Sequence, residues 1–186
     1  MNGVTLDGVM QGPARPDEDT RDGFEHGGWA VPYADEASIA KMGERMGEDR
    51  AWLFGRRTYE EVLAIWNARG GPFKEALNNG QKYVASSDPA TRLEWPNSTL
   101  LHVDVPAAVA DLKQSSSANL VIMGSGVLIG SLMAADLIDE YLLSIAPLVL
   151  GTGRRLFAGG THAPLRLVES STTSKGVLIA IYEPAR

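Results

Sequence analysis

The sequence predicts an α/β protein with a mostly parallel sheet and antiparallel strands at its C-terminal end. Three observations lead there. Short apolar runs alternate with stretches of helical periodicity from Ala51 to Ala135. Gly or Ser-Ser closes several of the runs, as in Phe54-Gly55, Ala85-Ser86-Ser87 and Met123-Gly124. After Asp139 the pattern turns β-rich and ends in two segments spaced for an antiparallel pair, Leu165–Glu169 and Val177–Tyr182.

The elements follow in order. Val4 to Met10 is apolar but broken by the turn pair Asp7-Gly8. Residues 11–29 are rich in Gly, Pro, Asp and Glu, with Phe24, His26 and Trp29 interleaved, and read as a long loop. Loops of that length in a compact domain are usually functional or disordered. Ile39, Met42 and Met46 recur at helical spacing between Ala34 and about Arg50. Ala51-Trp52-Leu53-Phe54 reads as a buried strand, with Trp52 in the core. Thr58-Tyr59-Glu60-Glu61 fits a capping box, Thr58 at the cap of a helix running to about Trp66. Pro72–Asn79 is a short helix stopped by Gly80. Lys82–Ser86 and Ser98–His102 are strands, and Asp104 caps a helix from Pro106 to about Lys113. Asn119–Met123 is a strand, Gly124-Ser125-Gly126 opens an apolar helix to about Ala135, and Asp139–Ala146 is a strong strand.

Composition bounds the rest. A chain of 186 residues is expected to form one domain, residues 1–186. It has no Cys, which excludes disulfides, thiolate metal sites and Cys nucleophiles. Its formal net charge of −6 argues against a nucleic-acid partner. No apolar stretch approaches the ~18 residues of a membrane span, and the N-terminus lacks a basic-then-apolar leader, so a cytoplasmic protein is expected. The acidic run Asp17, Glu18, Asp19 and Asp22 lacks the alternation of a calcium loop and reads as solvated. No metal site is expected.

Three segments carry candidate chemistry. Gly55-Arg56-Arg57-Thr58 joins a strand to a helix, where unpaired N–H groups, a Gly allowing close approach and two guanidinium groups would cradle an anion. A capped helix with solvated Arg is the other reading. Met123-Gly124-Ser125-Gly126-Val127-Leu128-Ile129-Gly130 also follows a strand and opens a helix. It has one residue more than a Rossmann turn, and no acid ends the next strand, so it reads as a pyrophosphate turn of a different fold, or as a tight turn only. Ser86-Ser87-Asp88-Pro89 offers hydroxyls at a strand end, or is an ordinary turn.

The segments Thr5-Leu6-Asp7-Gly8-Val9-Met10, Leu53–Glu60, Lys82–Ser87, Val121–Gly126, and Leu137–Leu142 through Pro147–Gly153 to Leu156-Phe157 occur in a telling order. Together they resemble the dihydrofolate reductase fold, and more closely the reductase domain of bacterial riboflavin biosynthesis (the RibD C-terminal domain family) and its stand-alone relatives. The resemblance spans nearly the whole chain. It implies a dihydrofolate-reductase-like three-layer fold, a mostly parallel central sheet with antiparallel C-terminal strands, and NADPH as cofactor. By motif position, Arg56 would face the 2′-phosphate, with Ser86, Ser87 and Arg57 nearby. Gly55, Thr58 and the helix start would take the pyrophosphate, and Gly124-Ser125-Gly126 its other side, with Val127 and Leu128 opening the helix behind. The Gly124–Ser125 bond is expected to be cis, and Leu6–Met10 to lie near the nicotinamide.

The activity so implied is NADPH-dependent reduction, by hydride transfer, of a small planar heterocycle resembling a pteridine or 5-amino-6-ribosylaminouracil phosphate. A homodimer is implied as well. The same fold without catalysis would make an NADPH- or nucleotide-binding sensor. For a proton donor the candidates are Asp7 and Asp35, with Glu25, His26 and Glu36 behind them. Trp29 and Tyr33 would form an aromatic wall for substrate, or anchor the long loop in the core. Two departures stand out. Only Met1–Thr5 precede the Leu-Asp-Gly turn, and the acid that folate reductases carry on the first helix falls nearer Ser38 than Asp35.

Overall fold

The apolar runs pair into two separate four-stranded ladders. The structure is a computed structural model describing residues 1–47, 49–157 and 159–185. The chain divides into two compact units, Met1–Arg45 with Ile138–Arg186, and Met46–Leu137.

In the first unit the strands are β1 (Asn2–Thr5), β6 (Tyr141–Ala146), β7 (Leu165–Thr172) and β8 (Leu178–Pro184), in spatial order β1-β6-β8-β7. β1 runs parallel to β6, while β8 is antiparallel to both β6 and β7. The helix α1 (Glu36–Met46) packs Met42 on one face of this sheet, against Leu142, Ile179 and Ile181. Its predicted extension to Arg50 ends early, where Gly47 turns to φ 70°; Glu48 lies outside the described residues. β7 outruns its predicted end at Glu169 by three residues, because the polar run Ser170-Ser171-Thr172 pairs on a solvent-facing edge strand.

The long loop is ordered by its own polar groups. The Gln11 amide donates to the carbonyls of Asp19 and Arg21, and its oxygen accepts from Arg154 N. Phe24 and Trp29 sink into a cluster with Val9 and Ala146, so the loop carries its own hydrophobic anchor.

The second unit holds β2 (Arg50–Gly55), β3 (Lys82–Ala85), β4 (Ser98–Leu101) and β5 (Asn119–Ile122), all parallel, in order β4-β3-β2-β5. Parallel strands need crossover connections, supplied by α2 (Arg56–Arg69) and α3 (Pro72–Asn79) between β2 and β3 and by α4 (Val105–Ser115) between β4 and β5, while α5 (Gly126–Ala134) follows β5. β2 reads as a continuous apolar run because Ala51–Phe54 are buried on both faces. Asp104 caps α4 as predicted, accepting from Ala107 N. The predicted capping box does not form. α2 begins at Arg56 with Gly55 at its cap and no side-chain bond there, so Thr58 lies inside the first turn. Among the described residues, no helix is long and apolar enough to cross a membrane.

Candidate functional site

Within the Met46–Leu137 unit, strand order places three of the sequence's candidate segments at one edge. β2 pairs with β3 on one side and with β5 on the other. The chain thus winds outward from β2 through β3 to β4, then returns across to β5. Open α/β sheets leave a ligand crevice at the carboxyl ends of strands where the winding reverses, here between β2 and β5. Gly55 closes β2, Ser86-Ser87 follow β3, and Met123-Gly124 follow β5, all at that carboxyl edge.

The two glycine turns touch. Gly124 and Ser125 are both left-handed, at φ 62° and 61°, and swing the chain directly into α5. This pair makes the turn without the expected cis bond, and no peptide bond among the described residues is cis. Ser125 Oγ accepts a 2.9 Å hydrogen bond from Gly55 N and donates to Met123 O, stapling the turn after β5 to the turn after β2. A Cβ on Gly124 would stand 3.0 Å from Thr58 Cγ2, so only glycine lets the backbones come this close.

Both helices that open at this edge lack a side-chain cap, α2 behind Gly55 and α5 behind Ser125. Their first-turn N–H groups, with the positive ends of two helix dipoles, are donors for an anion. Arg56 is half-buried beside them, and its ion pair to Glu60, at 4.0 Å, is weak. Arg57 is exposed. Val127 is 84% exposed on the first turn of α5, whereas the Leu128 side chain is buried, leaving only its amide to face a ligand.

Ser86 is spent on its own turn, because its hydroxyl bonds Thr91 Oγ1 at 2.7 Å and accepts from Asp88 N. Ser87 is exposed at the same place. Nothing in the sequence singled out Thr91, although Ser-x-Asp-Pro-x-Thr is a sound Asx-turn pattern.

The other candidates lie in the first unit and correct several expectations. Asp7 does not fit a proton donor. Thr5 Oγ1 donates to it at 2.6 Å, and Leu150 N and Gly151 N donate to its two oxygens, with Arg155 3.6 Å away. The Thr5 hydroxyl, reinforced by the Gly151 and Leu150 amides, pulls its pKa down to about 2. Asp7 is therefore an ionised pin joining the turn after β1 to the turn after β6. A carboxylate depressed in the folded state stabilises fully above the unfolded value near 4, and that stability is lost as pH falls toward 2. Acid titration of unfolding should show that loss in wild type, and Asp7→Asn should remove this part of the pH dependence.

Asp35 is likewise committed. It accepts from Ala37 N at the start of α1 and from Ser174 Oγ, while Lys175 Nζ reaches Ala34 O. It joins α1 to the β7–β8 hairpin. Trp29 is buried and donates its indole N–H to Gln11 O at 2.7 Å, which makes it the loop's anchor rather than a wall facing solvent. Tyr33 packs partly buried against the same cluster. A cavity of about 170 Å³ nearby is lined by Gln11, Arg21, Asp22, Phe24 and Arg154, but its guanidinium groups already pair, Arg21 with Asp19 and Arg154 with Asp22.

The pattern of the RibD C-terminal domain matches residues 2–179. The uncharacterized protein YwjB of Bacillus subtilis (strain 168) is 30% identical over 105 residues, covering 56% of this chain and 56% of that protein. The match therefore spans little more than half of this relative's length. Among solved structures, a pyrimidine reductase-like protein from Corynebacterium diphtheriae NCTC superposes with a TM-score of 0.65 at 12% identity, covering 100% of this chain and 90% of the other. The dihydrofolate reductase of Enterococcus faecalis, complexed with NADP(H) and RAB-propyl, gives 0.65 at 15% identity, covering 99% and 94%. At such identities these two show the fold, which is that of dihydrofolate reductase. The uncapped double helix start at a sheet-reversal edge and the match along 2–179 agree: the chain belongs to the RibD C-terminal domain family, a reductase-type family.

Proposed function

We propose that the chain is a cytoplasmic NADPH-dependent reductase that passes a hydride to a small planar heterocycle, pteridine-like or similar to 5-amino-6-ribosylaminouracil phosphate. The observation that carries this reading is the contact between the Gly55–Thr58 and Gly124–Gly126 turns at the reversal edge, with two uncapped helix starts facing outward. A dinucleotide pyrophosphate needs that concentration of backbone donors and a side-chain-free approach. When bound, the nicotinamide ring supplies the hydride; the protein's part is binding and alignment. The amides opening α2 and α5 hold the pyrophosphate, Gly124 permits the approach, and Arg56 with exposed Ser87 meets the 2′-phosphate.

One charge-assisted contact contributes roughly 1.5–3 kcal/mol, about ten- to a hundredfold in affinity. Arg56→Ala should weaken NADPH by that factor and leave NADH nearly unchanged. Parallel calorimetric titrations check this, and equal weakening of both nucleotides would contradict it.

One observation favours a second reading, a non-catalytic NADPH sensor. Both predicted acid candidates, Asp7 and Asp35, are committed to structural hydrogen bonds. NADPH oxidation on a panel of pteridines, aminopyrimidines and quinones separates the two: turnover supports the reductase, tight binding without turnover the sensor. We also propose a homodimer. β7 is an eight-residue edge strand with Leu167 and Val168 exposed, a surface that a second copy would cover. Light scattering reads the mass directly.

A further inference from the structure

The end of α3 joins a reactive residue pair to an unusual set of restraints. Asn79 is the last residue of the helix, and Gly80 follows it. Asparagine is a labile residue, and beside glycine no side chain shields the next main-chain nitrogen from its amide carbon. The Asn79 side chain is exposed, and no hydrogen bond among the described residues holds its amide. Asn78 differs, because its amide pairs reciprocally with that of Asn67 on α2.

Glycine is required at 80 for packing rather than for a turn. Its φ of −69° suits any residue. A Cβ there, however, would stand 2.8 Å from Trp52 Nε1 and 2.9 Å from Ala76 O. The fold therefore forces this unshielded neighbour onto Asn79. Three restraints then hold the reacting groups in place. Gly80 N donates to Ala76 O at 3.1 Å. The Lys82 ammonium donates to Leu77 O at 2.6 Å, Gly80 O at 2.7 Å and Asn78 O at 3.3 Å. Asn97 Nδ2 reaches Asn78 O at 3.1 Å and Asn79 O at 3.2 Å. Lys82 opens β3 and Asn97 precedes β4, so the sheet clasps the helix end.

We propose that Asn79-Gly80 is a spontaneous deamidation site whose rate is set by the clasp of Lys82 and Asn97 on α3, and whose isoaspartyl product undoes that clasp. Hydroxide removes the Gly80 amide proton, and the nitrogen attacks Asn79 Cγ. The N–Cγ bond forms and the Cγ–Nδ2 bond breaks. Nδ2 leaves as ammonia with a proton from water, which returns the hydroxide. Water then opens either C–N bond of the imide ring, leaving aspartate or isoaspartate at 79. No oxidant or reductant takes part. Isoaspartate lengthens the main chain by a methylene where Gly80 has no room to move, drawing Gly80 O away from Lys82.

The test follows the peptide carrying residues 75–82 by mass, in the full chain held at mildly alkaline pH, folded and in parallel unfolded in urea. Asn2-Gly3 is the internal control, the same pair with Asn2 buried in β1. Asn79 should convert before Asn2 in the folded chain, and the two should convert alike in urea. The folded chain should convert Asn79 about tenfold or more slowly than the unfolded one. Asn97→Gly keeps the left-handed φ of 54° and removes only the amide, so it should speed conversion about two- to tenfold. Lys82→Met should speed it about tenfold or more, with the unfolded rate as ceiling. Urea below the unfolding transition should leave the wild-type rate nearly flat, because opening one helix end exposes little surface. The isoaspartyl form, once separated, should show a lower urea midpoint. Conversion of Asn2 before Asn79, a rate indifferent to both variants, a steep rise in mild urea or an unchanged midpoint would each overturn the proposal.

Discussion

Gly124→Ala is expected to weaken NADPH binding by more than tenfold and to lower stability by about 1–2 kcal/mol. Two costs combine. Gly124 sits at φ 62°, a left-handed conformation that costs an L-residue roughly 1–2 kcal/mol. The new methyl would also stand 3.0 Å from Thr58 Cγ2, so Thr58 must shift. That shift acts through the first turn of α2, whose amides are the proposed pyrophosphate donors, and the methyl occupies space the phosphate would approach. At about 2–4 °C per kcal/mol for a chain of this size, the melting midpoint should fall by several degrees. Thr58→Ser removes the crowding methyl. In the double variant it should recover the steric part of the loss and leave the conformational part, a non-additivity readable in a double-mutant cycle. Wild-type affinity in Gly124→Ala would remove the close-approach argument.

Lys82→Ala should destabilise more, by about 3–5 kcal/mol. Lys82 opens β3, is fully buried, and its ammonium donates to Leu77 O at 2.6 Å, Gly80 O at 2.7 Å and Asn78 O at 3.3 Å. Three protons thus meet the last carbonyls of α3, where the helix dipole is negative. Asn97 Nδ2 adds bonds to Asn78 O and Asn79 O. Burial pushes the Lys82 pKa down to about 8, so the group remains largely charged at neutral pH. Truncation opens a cavity and strands buried carbonyls together. Lys82→Met keeps most of the volume and should lose less, about 2–3 kcal/mol, isolating the unpaired carbonyls. Urea unfolding of both variants checks the order. A Met variant as stable as wild type would show that water reaches the end of α3.

The fold was legible because its strands announce themselves. Ala51–Phe54, Tyr83–Ala85 and Leu120–Met123 are apolar runs of the kind parallel strands carry, each followed by Gly or Ser. The glycine turns of the candidate site were legible for the same local reason. Partners distant in sequence leave no local signal. Asp7 and Asp35 looked like available acids, yet they are satisfied by Leu150, Gly151 and Ser174, about 140 residues away. Trp29 was open between wall and anchor until the Gln11 carbonyl was placed beside its indole. Thr58 was misread because a Thr-x-x-Glu pattern is equally at home inside a first turn, and Arg56 and Arg57 are good helix formers that extend α2 backwards.

The claim beneath all of this is that the carboxyl edge of β2, β3 and β5 binds a 2′-phosphorylated dinucleotide. Isothermal titration of the purified chain with NADPH and NADH tests it most directly. The account predicts saturable NADPH binding, with NADH about ten- to a hundredfold weaker. No heat with NADPH at millimolar concentration, or equal affinity for the two, would contradict it.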